Sequence, residues 1–191
     1  GPIYTQIESA VDFVLRNIRL GATIDGLVRK EKYELPPEAI REMIINAHCH
    51  RNLLDESCIQ VAVYDDRLEV TSPGGLYNGL TYEEVMNGHS KIRNKAIANI
   101  FSQMGLVEAW GSGVKRILNA AKEYGLPEPK FQEFDNMFRV ELFRNSLPMT
   151  SENKHIGETS EKHRRNIGET SEKHGIVELN SCLLYTSDAA D

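Results

Sequence analysis

The pattern of apolar and polar positions divides the chain before Ser146 into helices and hairpins. Apolar residues that recur every three or four positions predict helices, and alternating segments bounded by turn residues predict strands. The predicted helices cover residues 5–19, 38–51, 82–86, 94–104 and 113–124, and the predicted strands cover residues 58–64, 67–71, 131–134 and 137–143. Hairpins alternate with helices along the chain, which predicts an α+β two-layer sandwich.

The second predicted helix, which follows Pro36 and Pro37, carries an unusual polar stripe. Glu42, Asn46 and His50 are spaced four residues apart, so they drift only slightly around the helix beside an apolar face. A carboxylate, an amide and an imidazole next to a core are costly unless they are hydrogen-bonded. Either neighbouring loops satisfy these groups, with His50 at the helix end, or a ligand and its metal do.

Two other helices carry further expectations. Thr81 and Glu84 are three residues apart at the start of the third helix, which predicts a capping box. In the fourth helix, the helical spacing of the apolar residues predicts an inward face made of Ala96, Ile97, Ile100, Phe101 and Met104.

Composition and charge narrow the class of protein. The chain has 191 residues, 40% of them hydrophobic, which is enough for one domain with a core and a tail. A net charge of −6 argues against a general nucleic-acid-binding surface. Three cysteines without a CxxC spacing favour a reducing compartment, so we expect a cytoplasmic protein, with no zinc site and no membrane-spanning segment.

The character of the sequence changes after Ser146. Residues 156–163 recur unaltered as 167–174, and the segment is too polar to fold on its own. We therefore predict a disordered linker over 147–175 and, at 176–181, the start of a helix from a truncated further domain such as a winged helix. Residues 182–191 resemble a translated sequencing adapter, which suggests a metagenomic fragment and excludes them from fold reasoning.

Two glycine-containing segments accompany the polar helix. Ser72-Pro73-Gly74-Gly75-Leu76 follows a predicted strand, and Trp110-Gly111-Ser112-Gly113-Val114 opens a predicted helix. Glycines let the backbone approach a ligand closely, and a helix N-terminus favours phosphate. Either segment alone is weak support for a binding site, because a glycine pair in a loop is usually only a turn.

Together these segments resemble a known family over residues 1–144. The resemblance also rests on Gly79-Leu80-Thr81, Arg93-Asn94 and Gly125-Leu126-Pro127-Glu128-Pro129. The family is the divergent GHKL-type ATP-binding domain of prokaryotic regulators labelled RecG-like C-terminal or AlbA/Schlafen-associated. The resemblance implies a GHKL (Bergerat-like) fold over 1–146, with a mixed sheet covered by helices on one face, and it implies ATP and Mg²⁺ as cofactors.

The resemblance also implies roles for individual residues. Asn46 matches the residue that holds the ATP-bound Mg²⁺, and Glu42 matches the carboxylate that positions or activates water. The implied nucleotide-binding set is Asn46, His50, Ser72, Gly74, Gly75, Gly111, Ser112 and Gly113. Ser72 stands where such domains usually carry the aspartate that binds the adenine amino group.

The sequence is compatible with three functions. The first is an ATP-binding regulatory module of a transcriptional regulator, which would bind DNA through domains outside this sequence. The second is a slow ATPase with Glu42 as general base, and the third is a degenerate dimerisation or scaffold domain that binds no nucleotide. A helicase motor is excluded for this chain, because it has no GxxxxGK[ST] P-loop.

Overall fold

A computed structural model describes residues 1–25, 28–107, 112–145 and 173–179, with only the backbone described at 23–25, 28–30 and 173–179. The helices are α1 (Ile3–Arg16), α2 (Pro37–His50), α3 (Tyr82–Met86), α4 (Lys95–Gln103) and α5 (Gly113–Glu123). The strands are β1 (Leu20–Asp25), β2 (Val28–Tyr33), β3 (Ile59–Tyr64), β4 (Arg67–Pro73), β5 (Lys130–Phe134), β6 (Met137–Phe143) and β7 (Lys173–Leu179). Every predicted helix and strand up to residue 145 is present within a few residues at each end, whereas β1 and β2 have no counterpart among the predicted strands.

Local chemistry explains where several of these elements begin. Pro37 occupies the first turn of α2, where a missing N–H costs nothing. The capping box at α3 is confirmed, because the Thr81 hydroxyl accepts from the Glu84 amide at 3.2 Å while the Glu84 carboxylate accepts from the Thr81 amide at 2.8 Å.

The main sheet has five strands in the order β5-β6-β4-β3-β7, and β1 pairs with β2 in a separate hairpin. Every pairing in the main sheet is antiparallel, so the expectation of a mixed sheet is wrong. The short turns at Asp65-Asp66 and Asp135-Asn136 explain two of these pairings, since adjacent strands joined by a tight turn must run in opposite directions. The other two pairings join strands that are far apart in the chain. The α+β sandwich itself is confirmed.

The core lies between one face of the sheet and the helices. Alternate residues of β3, β4 and β6, which include Val61, Val70 and Leu142, join α2 in a single apolar cluster. Helix α2 is the central helix, because it packs against α1, α4, α5 and the two middle strands. The polar stripe of α2 therefore lies at the edge of this apolar cluster.

The opposite face of the sheet carries charged side chains. Glu69 and Glu141 are direct partners across β4 and β6. The Arg67 Nε atom lies 2.7 Å from Glu69 and 3.5 Å from Glu141, and Arg139 lies 3.6 Å from Glu69. Burial and the neighbouring Glu69 charge raise the pKa of Glu141, although these arginines oppose the shift.

Helix α4 buries a narrower face than the spacing of its apolar residues predicts. Ala98 and Phe101 are buried, whereas Ile100 is 54% exposed and Met104 is 47% exposed. The expectation that Ile100 and Met104 point inward is therefore wrong. The main helix packed against α4 is α2, so only one stripe of α4 is covered.

The C-terminal segment differs from its predicted conformation. Residues 173–179 form a strand that pairs with β3, not the start of a helix. Residues 173–175, predicted as the end of the disordered linker over 147–175, belong to this strand, so that part of the prediction is wrong. Residues 147–172 of the predicted linker and the adapter segment at 182–191 lie outside the described residues. The proposed division into domains stays a prediction, although β7 is an edge strand of the main sheet.

Candidate functional site

A large pocket opens between α2, α5 and the inner face of β4 and β6. Loops before and after α3 complete its rim. Seven of the nine site residues predicted from the sequence line it: Glu42, Asn46, His50, Ser72, Gly74, Gly75 and Gly113. The structure thus brings together residues that are up to 71 positions apart in the chain.

Two of the predicted residues are not among the lining residues. Ser112 is the N-cap position of α5, but its side chain makes no capping hydrogen bond. Gly111, together with the neighbouring Trp110, lies outside the described residues.

Glu42 and Asn46 form one polar unit on α2. The Asn46 amide nitrogen donates to one oxygen of Glu42 at 3.1 Å. The second Glu42 oxygen lies 3.6 Å from the Arg116 guanidinium on α5. Glu42 is only 9% exposed, so its charge is held in place by a neighbouring amide and a cation.

Helix α5 begins directly against this pair. A Cβ atom added at Gly113 would meet the Glu42 carboxylate and would lie 2.6 Å from the Asn46 amide nitrogen. No other residue type fits there unless those two side chains move. The glycine therefore lets the N-terminus of a helix, with its partial positive charge, approach a carboxylate and an amide closely.

The Gly74-Gly75 turn is fixed by the hairpin between β5 and β6. Gly74 has a φ of 100° and donates its N–H to the Asn136 carbonyl at 2.7 Å. The Leu76 amide donates to the Glu133 carboxylate at 3.1 Å. A Cβ atom at Gly75 would collide with that carboxylate, so both glycines are required by space or by conformation.

The loop between α3 and α4 supplies pocket residues that the sequence analysis missed. His89, Ser90 and Lys91 line the pocket, and Lys91 Nζ donates to the Asn78 carbonyl at 2.9 Å. The Arg93-Asn94 pair was noted as part of the family pattern without a role. No periodicity marks these loop residues, so that motif was the one available signal.

Burial shifts the pKa values of three consecutive residues at the end of α2. Burial and then the Arg51 charge lower the pKa of His48 to about 4. Burial and then the Glu42 charge raise the pKa of Cys49 to about 12. Burial and then the Arg93 charge lower the pKa of His50 below its usual value. All three groups are therefore neutral at pH 7, and His50 meets the pocket as an uncharged imidazole.

The central part of the chain is similar to a known protein family. Residues 56–142 match the family model described as the putative ATP-dependent DNA helicase RecG C-terminal domain. This segment is therefore similar to that family. The RecG C-terminal-like segment includes Ser72, Gly74, Gly75 and Gly113, whereas α2 with Glu42 and Asn46 precedes it.

A solved structure extends the likeness beyond that segment. The DIP2311 protein from Corynebacterium diphtheriae superposes with a TM-score of 0.67 at 28% identity. The match covers 74% of this chain but only 29% of the DIP2311 chain, so the sequence corresponds to less than a third of that protein. No curated protein matches the chain. Among the described residues, no helix is long and apolar enough to cross a membrane.

The charge of the lining bears on which base such a RecG C-terminal-like domain would accept. Ser72 lies on the inner face of β4, is only 5% exposed and offers a neutral hydroxyl. Among the lining residues that the structure describes, Glu42 is the only carboxylate. It lies on the helical side of the pocket, so no charged acceptor stands beside Ser72 for a base amino group.

The donor set fits magnesium only when a nucleotide supplies the other ligands. No group of three histidine, cysteine or acidic side chains is arranged to hold a metal in the described part of the chain. Mg²⁺ prefers six oxygen ligands and keeps several waters, so one amide oxygen beside a carboxylate suffices when phosphates complete the shell. The Asn46 amide next to Gly113 meets that requirement.

Proposed function

We propose that the domain is a regulatory module that binds ATP with Mg²⁺. The main support is the approach of the α5 N-terminus to the Glu42–Asn46 pair, in a pocket lined by six of the residues that the family resemblance assigns to the nucleotide. The similarity of residues 56–142 to the RecG C-terminal family model also supports an ATP-binding module.

Each wall of the pocket has a part in this binding. The Asn46 side-chain oxygen holds the Mg²⁺ of the nucleotide, and the metal neutralises phosphate charge there. The first turn of α5 turns backbone N–H groups toward the phosphates, as helix N-termini do in many anion sites. The apolar lining, which includes Val70, Phe138 and Val140, accepts the base, and the Ser72 hydroxyl bonds its edge.

Residues 74–94 form one side of the pocket, which we call the loop wall, and α2 with α5 forms the other side, the helical wall. The proposed consequence of binding is that the loop wall adopts one ordered arrangement. The Gly74–Leu80 turn and the loop between α3 and α4 are joined to each other by the Lys91–Asn78 and Arg93–Gly75 hydrogen bonds. The turn is joined to β5 by the bond between Leu76 and Glu133. A ligand that contacts both loops shifts their equilibrium toward one arrangement. In the complete protein, we propose that this change is passed to DNA-binding domains outside this sequence, as expected of a transcriptional regulator. A homo-oligomer is compatible with this role.

Calorimetric titration of the full 191-residue chain with ATP and Mg²⁺ tests the proposal. We expect saturable binding that Asn46→Ala weakens at least tenfold, because that variant loses the amide oxygen. Lys95→Ala, an exposed substitution outside the pocket, is the matched control and should bind like the wild type. No heat and no thermal stabilisation at millimolar ATP would reject the proposal and favour the scaffold function.

Turnover separates the switch from a slow ATPase. Among the described residues that line the pocket, Glu42 is the one carboxylate, and it already bonds Asn46 and faces Arg116. If phosphate release is absent from both the wild type and Glu42→Ala while both bind ATP, the domain acts as a switch. Phosphate release that Glu42→Ala abolishes without loss of binding would identify a general base.

A further inference from the structure

The segment between α3 and α4 fastens the loop wall of the pocket to its helical wall. Asn94 contacts the end of α2 three times. Its side-chain nitrogen donates to the His48 carbonyl at 3.2 Å and to the Arg51 carbonyl at 2.7 Å, and its backbone N–H donates to the Cys49 carbonyl at 3.1 Å. Helix C-termini leave carbonyls without partners inside the helix, so Asn94 caps α2 from a distant part of the chain.

Arg93, the preceding residue, points the other way, toward the glycine turn. Its guanidinium donates to the Gly75 carbonyl at 2.7 Å and lies 5.1 Å from the centre of the Tyr77 ring. A Cβ atom at Gly74 would lie 2.6 Å from one of its terminal nitrogens. The guanidinium therefore packs directly beneath the turn that lines the pocket.

The charge of Arg93 is poorly compensated. No carboxylate pairs with its guanidinium in the part of the chain that the structure describes, and its Nε atom is buried without a hydrogen-bond partner. Stability alone does not favour a positive charge on a partly buried side chain that contacts one carbonyl and one ring, because a neutral side chain would avoid the desolvation cost. A guanidinium is nevertheless kept beside the pocket.

We propose that Arg93 and Asn94 act together as a positioning unit for the nucleotide pocket. Asn94 fixes the segment to α2, and Arg93 uses that anchor to hold the Gly74–Tyr77 turn at the distance from Asn46 that the ligand requires. The positive charge behind the turn also attracts the anionic ligand toward this wall. This inference rests on the proposed nucleotide-binding function and adds to it two residues with a stated role.

The test compares Arg93→Met, Arg93→Lys and Asn94→Ala with the wild type by calorimetric titration of the full chain with ATP and Mg²⁺. We expect Arg93→Met to weaken binding at least tenfold, and Arg93→Lys to recover part of that loss because the charge is restored. Lys95→Met is the matched control, since it removes an exposed charge two residues away and should change affinity less than twofold. Thermal unfolding identifies any variant that has lost its fold. If Arg93→Met is one of them, the comparison of Asn94→Ala with the wild type carries the test.

A second readout does not need the nucleotide. Arg93 helps to lower the pKa of His50, so Arg93→Met should raise the pKa of that imidazole in an NMR titration, while Lys95→Met should not. Amide exchange at Gly74 and Leu76 should accelerate in Arg93→Met, because these donors lie in the turn and keep their bonds to Asn136 and Glu133 only while the turn is held.

The outcomes separate this inference from the proposed function. Wild-type binding that Arg93→Met and Asn94→Ala leave unchanged would overturn the positioning role and leave the nucleotide function standing. Failure of the wild type to bind would reject the nucleotide function. In that case faster exchange at Gly74 and Leu76 would still support the positioning of the turn, and unchanged exchange would overturn it.

Discussion

The two walls of the pocket are built in different ways. The helical wall, formed by α2 and α5, sets Glu42, Asn46 and Gly113 on helices that are anchored by core side chains such as Ile44, which is fully buried. The loop wall, residues 74–94, presents half-exposed side chains such as Tyr77, which is 41% exposed. The loop wall depends on hydrogen bonds between segments far apart in the sequence, including Leu76 with Glu133.

This difference assigns different roles to the two walls. Burial of a large aliphatic side chain contributes about 1.5–3 kcal/mol, so the helical wall is rigid and carries the stability of the domain. A hydrogen bond contributes only about 0.5–1.5 kcal/mol net, so the loop wall can rearrange at little cost. A ligand that bridges the walls would therefore change the loops and leave the helices in place. The following predictions test that contrast.

The largest expected effect comes from removing core support behind the helical wall. Ile44→Ala should lower the free energy of unfolding by about 2–5 kcal/mol, because it leaves a cavity in the core. Ile100→Ala is a matched control, since Ile100 is also helical but is 54% exposed, and it should stay within about 0.5 kcal/mol of the wild type. Urea denaturation of both variants measures the difference, and equal losses would contradict the assignment of stability to α2.

Acid should weaken the helical wall through His48. The folded-state pKa of this buried imidazole is about 4, below its ordinary value of 6.5, so the unfolded chain takes up the proton first. The contribution of the neutral His48 side chain to the free energy of unfolding is therefore fully present above pH 6.5. It is lost as the pH falls toward 4, by about 3 kcal/mol in all.

Urea denaturation between pH 7.5 and 4.5 measures this loss. His48→Gln should reduce the dependence on pH without abolishing it, since the pKa of His50 is lowered as well. His89→Gln, an exposed control, should leave the profile unchanged. A wild-type chain equally stable at both pH values would contradict the burial of a neutral His48.

Gly113→Ala tests the junction between the helical wall and the ligand. The added methyl group would displace the ends of the Glu42 and Asn46 side chains, which can move without disturbing the backbone. We expect ATP·Mg²⁺ affinity to fall at least tenfold while the unfolding temperature changes little. Gly21→Ala is the control, because its Cβ would make only an ordinary contact, 3.5 Å from the Lys32 carbonyl. Unchanged affinity in Gly113→Ala would remove this junction from the site.

The smallest effect is expected in the loop wall. Thr81→Ala removes the capping box of α3 and should cost about 1 kcal/mol, mainly as local opening. Amide exchange should quicken at Glu84, whose N–H bonds the Thr81 hydroxyl, and stay unchanged across α2. Thr81→Ser, which keeps the hydroxyl, should exchange like the wild type. A loss spread evenly over both walls would break the distinction between them.

The same contrast explains what the sequence could predict. The helical period of α2 located Glu42 and Asn46, and the glycine motifs located Gly74, Gly75 and Gly113, because local patterns carry that information. Sequence could not predict that β7 would pair with β3, since strand pairing depends on contacts distant in the chain. It likewise could not assign Arg93 a role, because its partners, the Gly75 carbonyl and the Tyr77 ring, lie in a separate turn, the first of them 18 residues away.

The orientation of α4 was mispredicted for a related reason. Its apolar residues occupy more of the helix surface than its neighbours cover, and periodicity does not reveal how many neighbours a helix has. Ile100 and Met104 are therefore exposed although their spacing matches an inward face.

The most direct test of nucleotide binding is an NMR titration of the full chain with ATP and Mg²⁺ that follows backbone amide shifts. We expect saturable shifts on both walls, at Gly74, Gly75 and Gly113, with almost none at Gly21 in the β1–β2 hairpin, which is not part of the pocket lining. Shifts confined to that hairpin, or none at millimolar nucleotide, would contradict nucleotide binding in this pocket.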